Sequence, residues 1–141
     1  MTIRPYLFFG GNCREAFTRY QEIFGGELFL MPMRDAPGDQ PVPEDQADSI
    51  IHAALTFDGD LLMASDDPMN PNFGPVQGMM VSYSPPDVDQ AGRVFDALAD
   101  GGQVMQPLME TFFSPAFGMC TDRFGTPWMI SVDGEMGAPG S

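Results

Sequence analysis

The scarcest reactive side chains of this 141-residue chain set the limits of its chemistry. There is one histidine, His52, within SIIHAALTFDG (Ser49 to Gly59), and there are two cysteines, Cys13 and Cys120. Histidine is the commonest metal ligand and the usual proton shuttle near neutral pH, so His52 is the candidate catalytic residue. As a general base it would contribute roughly 10²–10⁴-fold, with Thr56, Ser65 or Tyr6 orienting the substrate. No oxyanion stabiliser completes that constellation. A transition-metal site needs several nitrogen, sulfur or carboxylate donors converging on one point, and one imidazole per chain is too few for a typical one. Asp66 and Asp67 could lend carboxylates, but they sit beside PMNPNFG, where turn capping explains them equally well. The cysteines form neither a disulfide framework nor a zinc pattern. Cys13 falls at a predicted helix start, where the helix dipole would lower a thiol pKa; the competing reading is a packed, inert thiol. No GxSxG elbow, P-loop or HExxH is present.

The elements that must position these residues follow from hydrophobic period and turn chemistry. Ile3 to Phe9 reads as a strand, broken by GGN with Asn12 as N-cap. From Cys13 to Phe24 the period is helical, with Ala16, Phe17, Tyr20, Ile23 and Phe24 on one face, and Gly25–Gly26 ends the helix. ELFLMPM reads as a strand weakened by Pro32. Arg34 to Ser49 holds three prolines and five acids and reads as a long loop, a candidate lid. Strands follow over Ile50 to Phe57 and Leu61 to Ser65, joined by the hairpin signal DGD. DDPMNPNFGP is a second loop. The order then recurs. Met79 to Ser84 is a strand, and SPPDVDQAGRVFDALADGG is a turn and a helix of about 12 residues. That helix has Val88, Ala91, Val94, Phe95 and Leu98 as its apolar positions. Gln103 to Pro107 is a short strand, and SPAFGMCTD and PWMISV form a hairpin around RFGT.

The halves align at a spacing of about 75 residues, Ala16 and Gly26 against Ala91 and Gly101. The expectation is an α+β fold of two tandem βαβββ modules, about residues 1–70 and 76–135, within one domain. One sheet face of each module takes the helix; the other must meet a partner module or enclose a cavity. Strand alternation puts Ile51, Ala53, Leu55 and Phe57 on the helix side and Ile50, His52, Ala54 and Thr56 opposite. In the last strand Trp128, Ile130 and Val132 form the apolar set, with Met129 and Ser131 on the other face. A lone histidine so placed either hydrogen-bonds in a partly packed interior or faces a ligand.

The net charge is −14, and all six cations are arginines. Nucleic acid needs a basic stripe and is excluded as a partner. No run approaches the roughly 20 apolar residues of a bilayer span, and the N-terminal stretch lacks a signal peptide's apolar run and cleavage site. The expectation is a soluble cytoplasmic protein that contacts no membrane. Arg4, Arg14, Arg34 and Arg123 could attract an anionic ligand or serve as exposed surface charge.

PYLFFGGNCREAFTRYQEIFGGEL, IIHAALTFDGDLLMASDD and GTPWMISV together resemble the PhnB-like branch of the vicinal-oxygen-chelate superfamily. That superfamily includes glyoxalase I, extradiol dioxygenases, fosfomycin-resistance enzymes and bleomycin-binding proteins. The resemblance runs from about Ile3 to Val132. It implies paired modules forming a curved sheet around a cleft, commonly in a homodimer. It also implies metal ligands on the first and last strands of each module. Those places hold Tyr6 or Pro5, Met63 or Ser65, Gly78 or Met79, and Met129, none of them His, Glu or Asp. Some PhnB-like proteins carry a methyltransferase label linked to demethylubiquinone; FGGNCREAF has the strand–turn–helix order of a nucleotide site but too few glycines.

The reading that results is a small-molecule-binding protein of this superfamily, without the usual metal ligands and with no cofactor. Its cleft would present Tyr6, Phe8, His52 and Met63, joined by Met129 and Phe113, with Thr56 and Ser65 as polar contacts. Such a surface, apolar with few polar groups, is typical of a ligand pocket. Twelve methionines would let it adapt its shape. The alternatives are a lyase, isomerase or dioxygenase using His52 as base, or an atypical divalent-metal site.

Overall fold

A computed structural model describes residues 3–35, 38, 47–67 and 76–133. The chain divides into two compact units, residues 1–73 and 74–141. The first holds β1 (Tyr6–Phe9), α1 (Cys13–Phe24), β2 (Glu27–Pro32), a 3₁₀ turn (Met33–Asp35), β3 (Ile50–Phe57) and β4 (Asp60–Asp66). The second holds β5 (Val81–Tyr83), α2 (Val88–Ala99), β6 (Gln103–Met109), β7 (Phe117–Thr121) and β8 (Pro127–Ser131). The βαβββ order occurs twice, in an α+β fold. The sheets are ordered β1-β4-β3-β2 and β5-β8-β7-β6, so in each the first strand lies beside the last. That pairing is parallel, and the others are antiparallel. The Arg34 to Ser49 loop and the DDPMNPNFGP loop lie largely outside the described residues.

In the first unit α1 buries Cys13, Ala16, Phe17, Tyr20 and Ile23. Leu7, Phe9, Ala53, Leu55, Leu62 and Ala64 are buried on the matching sheet positions. Phe17 meets Phe9 edge-on at 6.2 Å and Tyr20 at 5.4 Å, and Phe24 stacks on Phe57 at 5.0 Å. Each fully buried large side chain here is worth about 1.5–3 kcal/mol of transfer free energy. Between β3 and β4 the two-residue turn has both φ angles positive, 50° at Asp58 and 80° at Gly59, which suits the twist of the flanking strands.

In the second unit α2 buries Ala91, Val94, Phe95 and Leu98. Val88, expected on the buried face, is exposed, at the first residue of the helix. Asp87 caps this helix by accepting a 2.8 Å hydrogen bond from the Gln90 amide.

The Gly-Gly doublets do more than end helices. A Cβ on Gly26 would collide with the Thr56 carbonyl oxygen, and one on Gly102 with the Thr121 carbonyl oxygen. Glu27 pairs with Thr56 and Gln103 with Thr121, so each glycine lets its strand enter the antiparallel ladder at close range. The two helices are offset by 75 residues and these two glycines by 76. By structural role Gly26 therefore matches Gly102 rather than Gly101, and the second helix–strand turn is one residue longer.

One buried carboxylate ties the first unit together. Asn12 occupies the N-cap position of α1, but its side chain makes no capping hydrogen bond. Asp66, 8% exposed at the end of β4, supplies the acceptor instead. Its Oδ1 accepts from the amides of Gly11 (3.0 Å) and Cys13 (2.9 Å), and its Oδ2 from the amide of Ile50 (2.9 Å). The sequence expectation placed Asp66 and Asp67 at the turn after β4, which lies outside the described residues; among the described residues Asp66 caps the turn before α1. In the second unit Asp122, 5% exposed, plays a comparable part at the β7–β8 turn. It accepts from the amides of Phe124 (2.9 Å) and Thr126 (3.0 Å) and from the Trp128 indole (2.9 Å).

Removing the Asp66 carboxylate orphans three backbone donors, each costing about 1–3 kcal/mol when buried. Asp66→Ala should lose about 3 kcal/mol or more by urea unfolding, with Asp66→Asn intermediate. Hydrogen exchange should speed up at the Cys13 and Ile50 amides before other core amides. Unchanged exchange at those two positions would contradict this role.

Candidate ligand-binding face

Alternation and register together fix which side chains share the His52 face. Met31 lies opposite His52 on β2, and Phe29 opposite Ala54. Met63 lies opposite Ala54 on β4 and opposite Tyr6 on β1, and Ser65 opposite Phe8. Residues paired in register share a side of the sheet, and residues two apart on one strand do too. Tyr6, Phe8, His52, Thr56, Met63 and Ser65 therefore lie on one face, the face away from α1. The rings confirm it: Tyr6 is 5.3 Å from Phe8 and 6.1 Å from His52, and Phe29 is 6.3 Å from His52. His52 is half-buried, Ser65 buried and Thr56 exposed. Among the described residues no hydrogen bond to the His52 imidazole is found, so its neighbours are aromatic rings and not a carboxylate orienter.

Phe29 and Met31 belong to this face although sequence reading left them out. Their signal was the alternation of ELFLMP, with Leu28 and Leu30 on the other side. It becomes decisive only once β2 is known to pair with β3 and not with another strand.

The remaining expected residues are in the second unit. Met129 pairs with Met119 on β7 and with Ser82 on β5. Phe117 lies two residues from Met119 on the same face, and Phe113, in the β6–β7 loop, packs edge-on against Phe117 at 5.1 Å. Gly78 and Met79, expected on the first strand, precede β5. The position facing Met129 is Ser82.

The superfamily's metal chemistry can be tested against these positions. Tyr6, Met63, Ser82 and Met129 are a phenol, two thioethers and a hydroxyl, a donor set that does not fit a catalytic divalent ion. Asp66 lies on the helix side, with both carboxylate oxygens engaged. Among the described residues no three of His, Cys, Asp and Glu converge as a metal site would require.

A family model described as 3-demethylubiquinone-9 3-methyltransferase matches residues 1–131. The chain belongs to that family. Protein YjdN of Escherichia coli is 33% identical over 94% of this chain and 95% of its own length. The crystal structure of protein PA1353 from Pseudomonas aeruginosa is 44% identical, with a TM-score of 0.84 over 94% of this chain and 98% of that one. A Bacillus cereus structure described as a putative 3-demethylubiquinone-9 3-methyltransferase, PhnB protein, is 26% identical, with a TM-score of 0.75 over 94% and 99% of the two chains. The fold is the glyoxalase/bleomycin-resistance fold, shared with more distant structures whose identities of 13% and 8% speak to the fold alone.

The family's name raises the question of a nucleotide cradle at FGGNCREAF. In this member the amides of Gly11 and Cys13, where α1 begins, already donate to Asp66. A protein carboxylate therefore takes donors that a phosphate would need.

The thiols are not poised for chemistry. Burial, and next the Asp66 carboxylate, push Cys13 up to about 12 against Arg14's opposing pull, overriding the dipole effect expected at a helix start. Burial, and next Asp122, push Cys120 up to about 11. Both cysteines are free and buried.

A folded-state thiol pKa above the ordinary 9.0 favours the protonated form in the fold. Its contribution is fully present below pH 9 and is lost as pH rises toward 11–12. Urea midpoints should fall over that interval, and fall less steeply in Cys13→Ala, whose baseline stability is lower. Both thiols should resist a disulfide-exchange reagent at pH 8 until the chain unfolds. Stoichiometric reaction of the native protein would overturn this.

Proposed function

We propose that this protein binds a small molecule on the His52 face through aromatic and apolar contact, without a divalent metal. The observation carrying the reading is the cluster of Tyr6, Phe8 and Phe29 around His52. Tyr6, Phe8 and Phe29 are 38%, 54% and 50% exposed, so their ring area is not consumed by the core. Large aromatic surface beside a few polar groups is what ligand sites are built from. Met31 and Met63 add adaptable thioether surface. Ser65 and Thr56 stand as polar contacts, and Met129 and Phe113 are assigned to the ligand site on the strength of the superfamily resemblance.

The same reading takes the protein to be a cytoplasmic homodimer. The homodimer rests on the superfamily resemblance; the charge of −14 is unsuited to nucleic acid, and among the described residues no helix is long and apolar enough to cross a membrane. The methyltransferase in the family's name is not adopted for this chain, since the loop that would cradle a nucleotide is closed by Asp66. His52 as a general base is the competing reading, and among the described residues no carboxylate orients it.

Nile red, a neutral planar dye, serves as the probe. It should bind saturably, and Phe29→Ala should weaken it about tenfold, the loss of about 1.4 kcal/mol that one ring contact can supply. His52→Ala should keep affinity within about threefold, as expected of a packing contact and not of a base. Indifference to Phe29→Ala would move the site elsewhere.

A further inference from the structure

The face around His52 carries a sign of charge as well as a shape. Four rings, those of Tyr6, Phe8, Phe29 and His52, form a chain of neighbours spaced 5.3 to 6.3 Å apart. The one charged strand residue on this face is Glu27, which begins β2 and pairs with Thr56. No arginine belongs to its strands. Arg4 lies two residues before Tyr6, at the end of the face where β1 begins and away from Phe29 on the far edge strand, and Arg34 lies in the 3₁₀ turn after β2, ion-paired with Asp48. Arg14 and Arg19 are on α1, across the sheet. The chain as a whole carries −14.

An aromatic face attracts positive charge through its quadrupole, most strongly when the cation is partly desolvated between rings. A surplus of negative charge raises the local concentration of cations and repels anions. Both effects select the same kind of ligand. We propose that the ligand of the His52 face is a small organic cation, a quaternary ammonium or protonated amine carried on an apolar or aromatic body. The proposal rests on the reading of this face as the binding face and adds the charge of what it binds. The positive centre sits over the Phe29 ring, and the apolar body lies across His52 toward Tyr6 and Met63.

The test uses three probes of nearly one shape: benzyltrimethylammonium, its neutral carbon isostere neopentylbenzene, and the anion benzylsulfonate. The readout is the imidazole nitrogen and carbon resonances of His52, which are unambiguous because the chain has one histidine. The cation should shift them saturably and bind about tenfold tighter than the neutral isostere, with the anion weakest. Raising salt should weaken the cation and leave the neutral probe unchanged. Phe29→Leu keeps apolar bulk and removes the π face, so it should cut the cation-to-neutral ratio about threefold or more. Equal binding of cation and neutral isostere, or a ratio unmoved by Phe29→Leu, would overturn the charge assignment while leaving the face as a binding site. Failure of every probe to shift His52 would overturn the binding face itself, and preference for benzylsulfonate would reverse the sign.

Discussion

Three backbone amides that converge on Asp66 hold the first unit in its shape. Gly11 and Cys13 belong to the turn that launches α1, and Ile50 starts β3, so one carboxylate joins the β1–α1 connection to two strands of the sheet. Charge-assisted hydrogen bonds of this kind are roughly twice as strong as neutral ones, and an orphaned donor in a buried site is costly. The geometry also closes options. A helix N-terminus with free amides invites an anion; one already filled by the chain's own carboxylate does not. The residue that makes the fold secure thus also removes the most obvious cofactor cradle in the sequence.

Asp122 imposes a similar constraint on the second unit by a different route. It folds the β7–β8 turn back on itself and anchors the indole of Trp128, a fully buried side chain that needs a partner for its N–H. The two carboxylates are not equivalent positions of the repeat. What repeats is the order of elements and the glycine that lets β2 or β6 meet its antiparallel neighbour. The hydrogen-bonded anchors differ.

The periodic parts of this fold were legible in the sequence. Cys13–Phe24 and Ile50–Phe57 read with the boundaries they have, because their hydrophobic periods are unmixed and their ends carry glycine or turn residues. The faces of β3 followed from alternation alone, which is why Tyr6, Phe8, Met63 and Ser65 could be grouped with His52. Partner choice was not legible. Nothing local says that Asp66 reaches the amides of Gly11 and Cys13, since that contact spans more than 50 residues. Phe29 was missed for the same reason, its membership of the site depending on pairing and not on its own neighbours. The start of β5 differs from the expected Met79 because Met79 and Met80 extend the apolar run on the N-terminal side of Val81, where ladder pairing begins.

The two faces of the first sheet answer to different physics. On the helix side, close packing ties the buried residues to α1, and a change of one methylene is felt. On the other side, the side chains at alternate positions are free of that demand. A βαβββ unit can therefore keep its core while the residues of the open face change from imidazoles and carboxylates to rings and thioethers. In this chain the positions where the superfamily pattern would put a ligand hold Tyr6, Met63, Ser82 and Met129, and family membership carries over the scaffold. The chemistry of the open face must be argued from the side chains that stand on it, and in this chain those are aromatic rings around one histidine, with no arginine on the strands.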